Sequence, residues 1–206
     1  MADTDTPQIY LVTPTAFVPE AFGPVLARLL DNAEIACLRL ALADPDADAV
    51  ARAADACREI AHARDVPLVI ERHAGLVERL GLDGVHLTDA ARSVRATRKA
   101  LGADAIIGAA CGASRHDGMA AGEAGADYIS FGPVGDLGLG EETRAERDLF
   151  AWWSEMIELP VVAEGGLDRD LIESFAPVTD FFAIGPEIWR AEDPDAALAD
   201  LTAPLR

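Results

Sequence analysis

Cysteines, cations and long apolar runs are all scarce in this chain of 206 residues, and each scarcity excludes something. Cys37, Cys57 and Cys111 are too few and too scattered for a disulfide framework or a zinc site; a reducing, cytoplasmic setting is the expectation. The longest apolar runs are strand-sized, such as residues 66–70, so no stretch offers a membrane-spanning helix. Residues 1–6 are polar and acidic and lack the basic-then-apolar order of a secretion signal. Only 17 Lys and Arg stand against 36 Asp and Glu, a formal charge of −19. A surface this acidic repels nucleic acid and anionic membranes, so neither is an expected partner. Any phosphate site must be local, built from backbone N–H groups and one or two cations. The plain reading of the charge itself is solubility, or adaptation to salt. Linkers, low-complexity tracts and a dinucleotide fingerprint are absent too, while 50% of the residues are hydrophobic. One domain over residues 1–206 with a full core follows.

What the chain does have is a recurring unit: a turn, an Asp, then a short apolar run. It reads Gly81-Leu82-Asp83-Gly84-Val85-His86-Leu87, then Gly102-Ala103-Asp104-Ala105-Ile106-Ile107, then Gly125-Ala126-Asp127-Tyr128-Ile129-Ser130-Phe131. A looser copy is Val178-Thr179-Asp180-Phe181-Phe182-Ala183-Ile184. Each follows a helix-like segment; Gly suits a left-handed helix end, and the apolar run suits a strand buried on both faces. Strands are predicted at 8–13, 35–40, 67–70, 84–87, 105–109, 128–131, 161–163 and 181–184. Helices are predicted at 19–30, 46–63, 74–80, 90–101, within 115–124, at 145–157, after the Asp168 cap and from Pro186 onward. Eight strands alternating with about eight helices predict an α/β fold, a single (β/α)8 TIM barrel; a doubly wound open sheet is the alternative. Residues 132–142 show neither period and form the one long loop, placed at the barrel mouth as a possible lid.

The candidate chemistry lies at the C-terminal ends of the strands. Gly165 and Gly166 follow strand 7, Gly185 follows strand 8 and Gly132 follows strand 6. Late loops of such barrels expose backbone N–H groups and can bind phosphate, although glycines also simply turn a chain. Arg39 closes strand 2, and a buried arginine needs a partner: a substrate phosphate, Glu71 or Glu164. Arg72 and His73 follow strand 3. His86, on strand 4, is a general base or a hydrogen-bonded filler. Cys111 follows strand 5 near the mouth, a place that suits a reactive thiol or a small buried hydrophobe. Asp44, Glu71, Asp89, Asp136, Glu141, Glu142 and Glu164 are carboxylates near the mouth, but their spacing singles out no Mg²⁺-binding pair. Trp152, Trp153 and Trp189 suit the core or a contact between copies of the chain, so a homo-oligomer is open.

Several late motifs bring a family into view. Ile106-Ile107-Gly108, the run from Gly125 to Val134, and Pro160-Val161-Val162-Ala163-Glu164-Gly165-Gly166-Leu167 resemble thiamine phosphate synthase and its thiazole tautomerase relatives. So do Ile9-Tyr10-Leu11-Val12-Thr13, Leu38-Arg39 and Asp83-Gly84-Val85-His86-Leu87. The resemblance implies a (β/α)8 barrel and a cytoplasmic transferase of thiamine biosynthesis. That transferase joins aminomethylpyrimidine, from its diphosphate, to thiazole phosphate, with Mg²⁺ as the only implied cofactor. It also implies departures. The family's Gln-Leu-Arg-x-Lys reads Cys37-Leu38-Arg39-Leu40-Ala41 here, and its Asn-Asp after strand 3 reads Glu71-Arg72. Its His-Leu-Gly-Gln-x-Asp reads His86-Leu87-Thr88-Asp89-Ala90-Ala91, and its Ser after strand 5 falls at Ala110 or Cys111. Thr143-Arg144 is a displaced remnant of its Thr-x-Thr-Lys lid, and Pro133 stands where the tautomerase branch has His. The resulting expectation is a small phosphorylated metabolite held at Gly165, Gly166 and Gly185. Arg39, Glu71 and His86 are the candidate catalytic groups, and Arg72, Asp89, Cys111, Gly132, Thr143, Arg144 and Glu164 line the pocket, with no confident metal ligand.

Overall fold

The computed structural model describes residues 6–43, 46–138 and 143–206. Eight parallel strands close on themselves in chain order, each followed by a helical segment. The strands are β1 (Gln8–Val12), β2 (Ile35–Leu40), β3 (Leu68–Glu71), β4 (Gly84–Leu87), β5 (Ile106–Ala110), β6 (Tyr128–Phe131), β7 (Val161–Glu164) and β8 (Phe181–Ile184). The helices are α1 (Pro19–Asn32), α2 (Ala47–His62), α3 (Gly75–Leu80), α4 (Val94–Leu101), α5 (Arg115–Ala124), α6 (Arg147–Met156), α7 (Arg169–Phe175), α8 (Pro186–Trp189) and α9 (Pro194–Leu201). The fold is the expected (β/α)8 barrel. No helix among the described residues is long and apolar enough to cross a membrane.

Helix ends differ from the sequence reading where side chains intervene. The helix predicted from residue 90 starts at Val94, because Ala90 adopts a left-handed φ of 56° that no helix can include. Asp46 lies outside α2 as its cap, its carboxylate accepting from the Asp48 N–H at 2.9 Å. The last helical segment is two helices, α8 and α9, split by residues 190–193.

Two cores follow from strand alternation. Leu11, Leu38, Ile70, Val85, Ile107, Ile129, Phe131, Ala163 and Phe182 point outward and pack under the helices. Tyr10, Val12, Cys37, Val69, Tyr128, Val162 and Ala183 fill the barrel itself. Gly108 on β5 makes that filling possible: a Cβ there would overlap the Tyr128 ring.

The Asp of the recurring unit has a structural task. Asp83, ahead of β4, accepts from the Leu68 N–H of β3 at 2.7 Å. Asp127, ahead of β6, accepts from Ile107 of β5 at 2.7 Å, and Asp180, ahead of β8, accepts from Val161 of β7 at 2.8 Å. Each carboxylate thus ties the first turn of one strand to the start of its predecessor. His62, in the last turn of α2, is half-buried and bonded to Asp83 at 2.8 Å. Asp104, ahead of β5, makes no such tie.

Candidate active site at the barrel mouth

Strand closure brings β2, β6 and β7 around one polar centre. Arg39, 8% exposed, donates from Nη2 to Glu164 Oε2 at 2.7 Å. The Ser130 hydroxyl donates to Glu164 Oε1, also at 2.7 Å. The Arg39 guanidinium lies 5.5 Å from the centroid of the Tyr10 ring. Below it, the Tyr10 and Tyr128 hydroxyls share a hydrogen bond of 2.6 Å, and His86 Nδ1 meets the Tyr128 hydroxyl at 3.0 Å. Of the three partners open to Arg39, Glu164 is therefore the one that takes it.

The electrostatics follow from burial and one cation. Burial pushes the Glu164 carboxyl up, but Arg39, His86 and the Ser130 hydroxyl pull it further down, to about 2. Burial, helped by Arg39, lowers His86 to about 3, so its imidazole is neutral at ordinary pH. Burial raises the Tyr10 and Tyr128 phenols, and it raises the Cys111 thiol to about 12. A neutral His86 bonded to a phenol fits the filler reading. Cys111 is buried behind the mouth, with its thiol near the Ala109 carbonyl, as a small hydrophobe.

The remaining candidates form two further groups. Arg72, at a left-handed φ of 68°, pairs with Glu71 at 3.2 Å and donates to Thr88 at 3.1 Å. Glu71 and Arg72, with His73 and Thr15, line a cavity of about 240 Å³ beside β1, β2 and β3. Asp89 accepts from Ser93 at 2.6 Å and keeps Oδ1 buried without a partner in the structure. Arg144 pairs with Asp136 at 2.9 Å within the long loop, apart from Arg39, and Thr143 is exposed. Asp44, Glu141 and Glu142 lie outside the described residues. A larger cavity of about 610 Å³ sits at the opposite end, where Gln8, Ile9 and Ile35 begin their strands; the polar centre is not there.

At the late glycines the chain packs against itself. Gly165 and Gly166 have φ of 85° and 70°, and the Gly165 carbonyl accepts from Gly135 at 2.9 Å. A Cβ on Gly132 would collide with Glu164, so that glycine lets the long loop reach β7. The Gly185 N–H donates to Glu187 Oε2 at 2.9 Å, and the Leu167 N–H donates to Glu187 Oε1 at 3.3 Å. One side-chain carboxylate thus bridges the loops after β7 and β8.

Magnesium, the cofactor implied by the resemblance, does not fit the described residues well. No three His, Cys, Asp or Glu among them converge to hold a metal ion. Glu71 and Glu164 are each committed to an arginine.

The model of the family described as "Thiamine monophosphate synthase" matches residues 9–181. The chain belongs to that family. A thiamine-phosphate synthase of Rhodospirillum centenum is 40% identical over 97% of this chain and 98% of its own length. One of Erythrobacter litoralis is 37% identical over 97% and 96%. Among solved structures, thiamine phosphate pyrophosphorylase from Pyrococcus furiosus aligns with a TM-score of 0.83 and 19% identity over 96% of this chain and 95% of that one. A 3-hexulose-6-phosphate synthase aligns at 0.72 with 15% identity over 97% and 100%, a likeness of fold alone. Within this thiamine phosphate synthase-like frame, sequence reasoning missed Tyr10, Tyr128, Ser130 and Glu187. The tyrosines carried a usable signal: they are the chain's only two, each sits in an apolar strand, and a buried phenol needs a partner.

Proposed function

We propose that this chain binds a small phosphate ester at its C-terminal mouth, of the kind the synthase uses as thiazole phosphate, and that its diphosphate side has been rebuilt. The observation behind this reading is the pair of N–H groups at Gly185 and Leu167, which converge from two loops on a single anionic group. Backbone donors of that kind suit phosphate oxygens. The neutral floor of His86, Tyr128 and the compensated Arg39–Glu164 pair suits an uncharged ring above it. The synthase reaction joins the aminomethylpyrimidine carbon to the thiazole nitrogen as its bond to diphosphate breaks. Stabilising that departing charge needs cations. Arg39 is neutralised by Glu164 and Arg72 by Glu71, so slow transfer is expected.

A second reading, full synthase activity, is favoured by the 40% identity to a synthase along nearly the whole chain. The deciding experiment gives purified protein thiazole phosphate alone, then both substrates, with Mg²⁺ or with EDTA. Thiazole phosphate is expected to raise the melting temperature in both buffers. Thiamine phosphate should form far more slowly than about 1 per second, the low end of ordinary turnover. Turnover at ordinary rates would establish the second reading, and a melting temperature indifferent to the ester would overturn the first.

A further inference from the structure

We infer that the cavity of about 610 Å³ at the end of the barrel opposite the mouth binds a small organic cation, a single ammonium or amidinium carried on an apolar body. This site lies apart from the mouth and is independent of phosphate binding there. Its volume is that of an ordinary small-molecule site, roughly 300 to 1,000 Å³. Leu29 of α1, Ile35 of β2 and Leu198 of α9, all buried, give it an apolar floor. Its walls are fixed in advance. Asp195, in the first turn of α9, accepts from Arg28 at 2.8 Å and from Asn32 at 3.0 Å, both on α1, so the two helices are clamped around the space.

The charge around this floor has one sign. Glu34, just before β2, and Asp65, in the turn between α2 and β3, both line the cavity and both are exposed. Among the described residues neither carboxylate has a hydrogen bond or an ion pair. Two helix ends add to them: α1 ends at Asn32 and α9 is capped by Thr202, both in the lining, and neither helix has a basic residue in its last turn. A helix C-terminus carries partial negative charge that Lys, Arg or His ordinarily meets. Arg206, the one cation in the lining, is exposed and pairs with none of these carboxylates. A concave site lined by one sign of charge over an apolar floor concentrates its field on whatever enters. Anions are repelled. A bare metal ion lacks ligands, since no three His, Cys, Asp or Glu among the described residues converge to hold one. An organic cation meets the spread carboxylates and covers the floor with its apolar part.

The test is a titration with benzylammonium followed through backbone amide resonances by NMR, in about 0.15 M NaCl so that diffuse attraction to the acidic surface is screened. The amides of Ile9, Ile35 and Ala199, which line the cavity, should move together and saturate at one midpoint, while that of Gly165 at the mouth stays still. Benzyl alcohol, of similar shape without the charge, should have a midpoint about tenfold higher. Glu34→Gln combined with Asp65→Asn should raise the benzylammonium midpoint by about tenfold as well. Both positions are exposed, so this variant should fold, and it carries the test if Ala199→Phe does not. Ala199→Phe, which fills the cavity from α9, should abolish the saturating shifts. An unchanged midpoint in the charge variant, or equal midpoints for the amine and the alcohol, would overturn the inference. Shifts that climb without saturating over the whole acidic surface would overturn it too.

Discussion

His86 is a base kept unprotonated by its surroundings, and that has a measurable cost in acid. Its ring is 1% exposed, and its folded pKa is lowered to about 3. The unfolded chain protonates the same ring near pH ~6.5. Between those values the unfolded state binds more protons, so stability falls as pH falls, by about 1.4 kcal/mol per unit. Glu164 acts in a lower window. Its folded pKa of about 2 lies below the ordinary ~4.3 of a free glutamate, so its contribution is full above ~4.3 and fades towards pH 2. Urea unfolding between pH 7 and 4.5 should therefore give a flatter stability curve for His86→Gln than for the natural protein; parallel curves would show that His86 titrates normally. At pH 7, Glu164→Gln leaves the Arg39 cation buried without its counter-charge. A loss of about 3 kcal/mol is expected from the urea midpoint, and less than 1 would mean that Arg39 finds water or another partner.

At the scale of strands and helices, the repeated Asp separates what a sequence reveals from what it hides. Its position after a turn and before an apolar run was enough to mark strands 4, 5, 6 and 8. Its task was hidden, because the N–H groups it accepts from lie 15 to 20 residues earlier and meet it only once the sheet has formed. The even strands β4, β6 and β8 carry ties and β5 does not. Replacing Asp83, Asp127 or Asp180 by Ala should cost about 1 to 3 kcal/mol each, the range for a donor left unmatched. Asp127 and Asp180 should lie at the low end, since both are exposed, and Asp83 higher. Asp104→Ala should stay within about 0.5 kcal/mol, and an equal loss there would mean that the Asp matters for turn chemistry alone. Gly108→Ala probes the inner core. Its methyl group would enter the Tyr128 ring, so thermal unfolding should show a loss of about 1 to 3 kcal/mol, and an unchanged melting temperature would mean that Tyr128 can retreat.

For the molecule as a whole, the barrel was legible and the mouth was only partly so. Strand count and order came from short apolar runs separated by turns, signals that survive in one dimension. The Arg39–Glu164 contact spans 125 positions and depends on β2 and β7 facing one another across a closed ring, so one dimension leaves Glu71 and Glu164 equal as partners. The helix predicted from residue 90 failed because a left-handed Ala leaves no compositional trace. The formal charge of −19 makes a further prediction at this scale. Self-repulsion of the folded surface is screened by salt. The melting temperature should rise between low salt and about 0.5 M NaCl, and a falling value would mean that the surface ion pairs outweigh the excess charge.

The carboxylate ties also divide the ring unequally. They stitch β3 to β4, β5 to β6 and β7 to β8, and leave the seam between β4 and β5 without such a tie. A chain cut just after Leu101 therefore keeps every stitch within one fragment or the other, whereas a cut at Gly125 severs the stitch made by Asp127. Two halves parted at the first point should reassemble when co-expressed, and those parted at the second should do so less well.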